Sequence, residues 1–428
     1  MAERTNRRAG EALNVREASS SPAQFGMRQA THRGSDPRRP HLANGQAARH
    51  KQRGAYQSTV PLTGLRGGLL VNIPALTGAR FFAAAAIVLW HSQLPPFFPA
   101  DAFWPLDLNG GVPFFFVLSG FVLTLHAEKY RSHLQFMIAR VARVWPAYLA
   151  AVAFWFALFW PYSLMLIQQS LTEAAILAAN ISMIQAWFPS KAVYWSINAP
   201  SWSVSVEMFF YATFPAVLWL MRRNALRRLA VITLAVIAAL ILAAALFPSL
   251  DATWLGKYNP LVNLPVFATG VVAAQWFKTA GRATGNGTRI QLASLGLLLV
   301  ANMMFKVEWL GALPAPLAAF ISTSAATPAY AAMILALARY DGGPSRWLSQ
   351  PSLIFLGEIS YSLYLFHQLI IRWHSDNLAA FAGIPVWLQY AGIWVASLGV
   401  SSLCYLLIER PGRRGIVALG RYARAGIR

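Results

Sequence analysis

Four side chains of types able to do acid–base or charge chemistry stand inside long apolar runs of this 428-residue chain: Arg80, His91, Glu207 and His367. Charged and titratable groups are costly at such depth and mark functional positions by default. Arg80 and His91 are eleven residues apart, about 20° off a whole number of helical turns, so one helix carries both on one stripe roughly 16 Å apart. Histidine is a general base near neutral pH and arginine a fork for anions. Glu207 has Tyr211 one turn later on the same face. His367 closes the run Tyr361-Ser362-Leu363-Tyr364-Leu365-Phe366. Arg140 and Arg143, three apart, share one face of a helix and suit a soluble phosphorylated ligand. Each residue also has a plainer reading. Arg80 and His91 can snorkel to headgroups, Arg140 and Arg143 can meet lipid phosphates, and His367 with Tyr364 fits an aromatic belt. Glu207 could simply partner a histidine. Ser119, in Val117-Leu118-Ser119-Gly120-Phe121, lacks the Gly-x-Ser-x-Gly setting of a nucleophile and reads as packing.

The elements that must position these groups are membrane helices. Apolar residues make up 57% of the chain and charged residues 12%; mean hydropathy is +0.45. No soluble fold hides that much apolar surface, so the expected fold class is all-α, a polytopic membrane protein. The net charge of +21 does not point to nucleic acid, because the basic residues fall in short clusters between apolar runs. The single cysteine, Cys404, excludes disulfides within the chain, Cys-based zinc sites and iron–sulfur clusters, and no metal site is expected.

Ten spans are expected, near 75–94, 112–127, 144–167, 202–220, 229–247, 260–277, 289–305, 313–337, 352–372 and 385–408. Residues 172–188 read as an interfacial or re-entrant segment. Residues 1–70 hold twelve of the 36 Lys and Arg but no apolar core; they read as a disordered basic cytosolic arm, with Met27 an alternative start. Residues 71–415 form the transmembrane domain and 416–428 a basic cytosolic tail. Ten spans with the N-terminus inside put 31 of the 36 basic residues on the inner side and four outside, the positive-inside pattern. Both termini are then cytosolic, in an inner (plasma) membrane. This topology sets His91, Glu207 and His367 at similar depth towards the outer side, and Arg140 and Arg143 on the cytosolic side.

Six sequence blocks together resemble the membrane acyltransferase-3 family. Leu76-Thr77-Gly78-Ala79-Arg80 with His91 is similar to its arginine-x10-histidine first-helix motif. Gly111 through Phe121 resembles its second-helix motif, and Arg140-Val141-Ala142-Arg143-Val144-Trp145-Pro146 its basic motif. Trp202 through Glu207 with Tyr211, Gly357 through His367, and Glu409-Arg410-Pro411 follow in order. The resemblance covers about 72–415. Position 95 is Pro where members often have an acid, and Ala139 and Ala142 stand where many have a further basic residue. The chain ends about 17 residues after Pro411, as in members without a C-terminal esterase-like domain.

The resemblance implies transfer of an acyl group, commonly acetyl, from cytosolic acetyl-CoA or another acyl-CoA. The acceptor is a hydroxyl of a cell-surface carbohydrate or lipid-linked glycan. Acetyl-CoA is then a co-substrate, with no permanently bound cofactor; membrane lipids are the other partners. His91 would be the catalytic base, with Glu207 fixing its tautomer. Arg80, Arg140 and Arg143 would bind the donor, its pantetheine arm running along the Arg80–His91 stripe. Trp202, Tyr211 and His367 would line the substrate site, Tyr211 with Glu207 on the acceptor side. Direct transfer and an acyl-histidine intermediate both fit. A transporter or flippase of a polar metabolite or glycan would use intramembrane polar groups equally well, but the titratable groups at one depth and arginines on one side favour a transferase. A receptor or scaffold leaves the Arg80–His91 stripe without a purpose.

Overall fold

The computed structural model describes residues 72–93, 97–98, 108–160, 171–305 and 310–425. The basic arm, Pro95 and the end of the expected third span lie outside them. The described residues form helices and no strand. In chain order the main helices are α1 (Pro74–His91), α2 (Gly111–Leu125), α3 (His133–Leu158), α4 (Leu171–Ile181), α5 (Trp202–Leu220), α6 (Ala225–Leu246), α7 (Leu264–Ala280), α8 (Gly287–Met304), α9 (Ala315–Ser324), α10 (Thr327–Arg339), α11 (Pro351–Asp376), α12 (Val386–Cys404) and α13 (Arg410–Ala425).

Among the described residues, a helix or broken helix occupies each of the ten expected spans. Six segments have both the length and the hydropathy to cross a membrane, α9 and α10 counting as one and α12 running on into α13. The others fall near the lower limit of a span, α2 with 15 residues and α7 with 17. The segment at 172–188 holds the 11-residue α4, about 16 Å long and too short to cross.

Three departures from the sequence reading matter for the site. Helix α3 starts at His133, where the Ser132 hydroxyl caps Gln135 N at 3.2 Å, ahead of the span expected from residue 144, so one continuous helix carries Arg140 and Arg143 into the span. A π-helical turn, Tyr405–Glu409, joins α12 to α13. Beyond residue 415 the expected tail continues as helix α13, which packs on α3.

Helix α11 is the hub, with 67% of its membrane-length window buried, whereas α6 buries 6% and presents its apolar surface outward. Two close helix pairs fix the frame. Helix α1 lies along α11, and a Cβ on Gly357 would collide with the Thr77 carbonyl. Helix α2 lies along α7, where Gly120 and Gly270 each face the partner's backbone in the same way. Small residues at crossing points bring membrane helices together by close packing. The first contact carries His91 and His367; the second lines up Ser119 facing α5.

Candidate active site

The α1–α11 contact brings the two intramembrane histidines together. His367 Nε2 lies 3.0 Å from His91 Nδ1, with ring centroids 5.0 Å apart. Each Nδ1 also lies 3.0 Å from the carbonyl one turn earlier, Leu363 for His367 and Ile87 for His91. A carbonyl only accepts, so each Nδ1 carries the proton. His367 Nε2 is then a bare acceptor, and His91 Nδ1–H donates to it while sharing the Ile87 carbonyl. One atom of the pair is left with an uncommitted lone pair, His91 Nε2. His367 is fully buried and His91 half-buried, so the free nitrogen is on the more accessible ring.

A cavity of about 140 Å³ has Tyr364, one turn before His367, in its wall, but neither histidine. Its α2 wall runs from Val112 to Leu123, roughly 16 Å of helix. Arg80, Arg140 and Arg143 line it, with Glu207, Tyr211, Ser119, Ser203, Tyr361 and Tyr364. Arg143 pairs with buried Glu409, which also accepts from Ser362 Oγ at 2.9 Å. Arg140 Nη2 donates to Tyr130 Oη at 2.6 Å, its guanidinium above Phe136. Arg80 forms no ion pair with a described residue, and Glu207 is the carboxylate that acts on it. The cavity therefore carries excess positive charge in a water-poor setting, where attraction for an anionic ligand is little screened.

Glu207 accepts from Tyr211 Oη at 2.5 Å and Ser119 Oγ at 3.2 Å. The sequence reading put it on the His91 ring. The structure places it with the arginines, because it lies five residues inside α5, about 7.5 Å in from the helix end, while His91 is the last residue of α1. His367 holds the position expected for Glu207. Tyr364 Oη contacts the Pro200 carbonyl at 2.6 Å and Ser203 Oγ at 2.8 Å. Its ring lies 6.0 Å from that of His367, so Tyr364 connects the cavity to the histidine pair. Trp202 does not line this cavity; it packs on Phe116 and Tyr258 in the aromatic core and edges a small separate pocket.

The sequence reading gave no site role to Ser119, Tyr361, Tyr364 or Glu409. Their signal was present: all four fall in the motif blocks, and Glu409 ends a long apolar run. Their partners, however, come from other helices.

The description "Acyltransferase domain" fits residues 73–406. The chain is 29% identical over 365 residues to acyltransferase MdmB of Streptomyces mycarofaciens, covering 79% of this chain and 88% of that protein. It is 27% identical over 328 residues to the exopolysaccharide production protein ExoZ of Rhizobium meliloti, covering 74% and 94%. The O-acetyltransferase OatA of Staphylococcus aureus is 26% identical over 370 residues, covering 80% of this chain and 57% of that protein. No solved structure matches. With the family pattern spanning nearly all of the described helices and an orphan basic nitrogen linked through Tyr364 to an arginine-lined cavity, the chain belongs to the membrane acyltransferase-3 family and is an acyltransferase.

Proposed function

We propose that this enzyme transfers an acyl group, in the simplest case acetyl, from cytosolic acyl-CoA to a hydroxyl of a cell-surface or lipid-linked carbohydrate. The observation that carries the reading is the tautomer chain from Leu363 through His367 to His91, which leaves His91 Nε2 as the base. Relatives named for exopolysaccharide production and O-acetyl transfer support the acceptor class.

In this reading the donor's arm occupies the cavity along α2, its thioester reaching the histidine pair past Tyr364. A sugar hydroxyl is a weak nucleophile, and His91 Nε2 takes its proton as the oxygen attacks the thioester carbon. The carbon–sulfur bond breaks, and the leaving thiolate recovers that proton from the imidazolium. His367 Nε2 accepts from His91 Nδ1–H throughout and steadies the cation, the orienting role a carboxylate plays in other triads. Direct transfer needs one such passage. Glu207 offsets the charge of Arg80 and sets its direction across the cavity.

The enzyme is placed in the inner membrane with both termini cytosolic, so that the arginine cavity faces the acyl-CoA pool. A C-terminal phosphatase fusion active in the periplasm would overturn that orientation. The acceptor is tested by mass spectrometry of surface and lipid-linked glycans from a deletion strain and its complemented partner. Loss of one acyl mass increment per modified sugar is expected. Identical acyl profiles in the two strains would remove glycans as acceptors.

A further inference from the structure

The arginine-lined cavity is too small for a whole acyl-CoA, because drug-sized ligands occupy roughly 300–1,000 Å³. A second, larger recess of about 590 Å³ opens between α3 and α13. Lys129, Arg140, Arg410, Arg413 and Arg414 line it, with Tyr130, Gln135 and Tyr405, and its lining includes no acidic side chain. Carboxylates adjoining the lining residues are already engaged, Glu128 with Lys278 among them. Glu409 is turned inward to Arg143, and Glu358 accepts from Tyr405 Oη at 2.7 Å.

Arg140 lines both recesses. Its Nε is buried and has no hydrogen-bond partner, leaving a charge-assisted donor unsatisfied at their junction. Helix α13 is held hard against α3 at Gly412, where a Cβ would overlap the Pro146 ring, so the basic side chains are presented on a fixed frame. The helix is also amphipathic by sequence: Arg410, Arg413 and Arg414 share one face, with Leu419 on the opposite one.

We propose that the groove between α3 and α13 binds the phosphate-bearing nucleotide end of the acyl-CoA donor, with Arg413 and Arg414 as its principal phosphate contacts and Arg140 as the gate to the inner cavity. This rests on the acyl-CoA reading above. Five cations without an acid on the lining suit a group carrying several phosphates, and forked guanidinium groups meet phosphate oxygens in pairs. The inner arginines are then left to the uncharged arm and the thioester, which explains why Arg143 and Arg140 already have partners on the protein. An anionic lipid headgroup carries the same chemistry and is the competing source of phosphate.

The test compares two donors on the same protein, acetyl-CoA and S-acetylpantetheine, which lacks the nucleotide and its phosphates. The ratio of their kcat/KM values is read for wild type and for an Arg413→Ala/Arg414→Ala double variant. Because both donors are assayed on one sample, the ratio does not depend on how much protein folds. Wild type is expected to prefer acetyl-CoA, and adenosine 3′,5′-bisphosphate to compete with it. In the double variant the preference falls at least about ten-fold, as expected for losing charge-assisted phosphate contacts, and the competition is lost. A variant that keeps the full preference would place the nucleotide elsewhere and overturn the groove, while leaving the donor reading intact. Wild type inactive with acetyl-CoA would sink the donor reading and the groove with it. If the effect of the variant occurs only in anionic-lipid vesicles and is absent in zwitterionic ones, the groove belongs to lipid headgroups and the proposal fails.

Discussion

The histidine end and the arginine end of the site, outer and inner in the proposed orientation, handle polar groups in opposite ways. In the outer half, every polar atom of the histidine pair but one is committed: two carbonyls and one imidazole–imidazole hydrogen bond fix three of the four ring nitrogens. In the inner half, charge is left facing open space, with Arg80 unpaired among the described residues and three arginines around one cavity. Directional bonds between neutral groups specify where a proton sits. Charge held open specifies that something anionic or strongly dipolar will come. A damaged outer half should therefore lose rate, and a damaged inner half should lose affinity.

The largest effect is expected at His91. His91→Ala should reduce acyl transfer about 10²- to 10⁴-fold, the range for a general base, while expression and insertion persist. Wild-type turnover by this variant would remove the histidine pair from the chemistry. Next comes His367→Leu, which leaves His91 Nδ1–H with half of its partners. A hydrogen bond to a charged group contributes about 1.5–3 kcal/mol, so losing the one that steadies the His91 imidazolium should lower kcat about ten- to hundred-fold with donor KM nearly unchanged. His367→Gln keeps an acceptor and should recover part of the loss. If both substitutions act on KM instead, His367 binds substrate and does not orient the base.

Why the sequence anticipated one half better than the other follows from what each needs. Helical periodicity alone aligns Arg80 with His91, because both are on one element, and α1 carries them as expected. The apolar runs likewise mark a helix at each of the ten expected positions, six of them in segments of membrane-crossing length and hydropathy. Topology supplies depth but not lateral distance, so Glu207 could be set near the histidines on paper while the helix arrangement gives it to Ser119 and Tyr211. The α1–α11 pairing that joins His91 to His367 depends on Gly357 meeting the Thr77 backbone, a contact between residues 280 positions apart. Glu409 was hidden for another reason. It ends an apolar run and looks like a boundary charge; the π-helical turn at Tyr405–Glu409 gives the helix one extra residue and carries the carboxylate inward to Arg143.

The inner half is tested by Arg80→Lys. Lysine keeps charge and reach, so a merely snorkelling residue would tolerate it. A guanidinium that grips the donor through its planar fork loses a paired hydrogen bond. Charge-assisted bonds contribute about 1.5–3 kcal/mol, so the donor KM should rise about ten-fold or more while the acceptor KM moves far less. A shifted acceptor curve beside an unchanged donor curve would put the donor at the other end of the membrane and reverse the assignment of the two halves.

The smallest effect is expected where charge meets water, which shows by contrast what enclosure adds. Lys278 Nζ lies 2.7 Å from Glu128 Oε1, joining the end of α7 to the turn after α2, and the glutamate side chain is 80% exposed. The hydrogen bond and charge of Lys278 hold the Glu128 carboxyl below its ordinary value. A carboxyl lowered in the folded state contributes stability that is complete above its unfolded value, about 4.3, and is lost as pH falls through the folded one. Exposed pairs contribute about 0–1 kcal/mol, so Lys278→Ala should lower the thermal midpoint only slightly at pH 7. The gap between variant and wild type should close as the pH falls below about 4, and also in about 1 M salt, where the screening length drops to about 3 Å. Transfer rates should be unchanged at every pH where both proteins are folded. A large destabilisation that survives high salt would mean that this exposed pair clamps α2 to α7, and the division between charge kept for ligand and charge kept for the fold would have to be redrawn there.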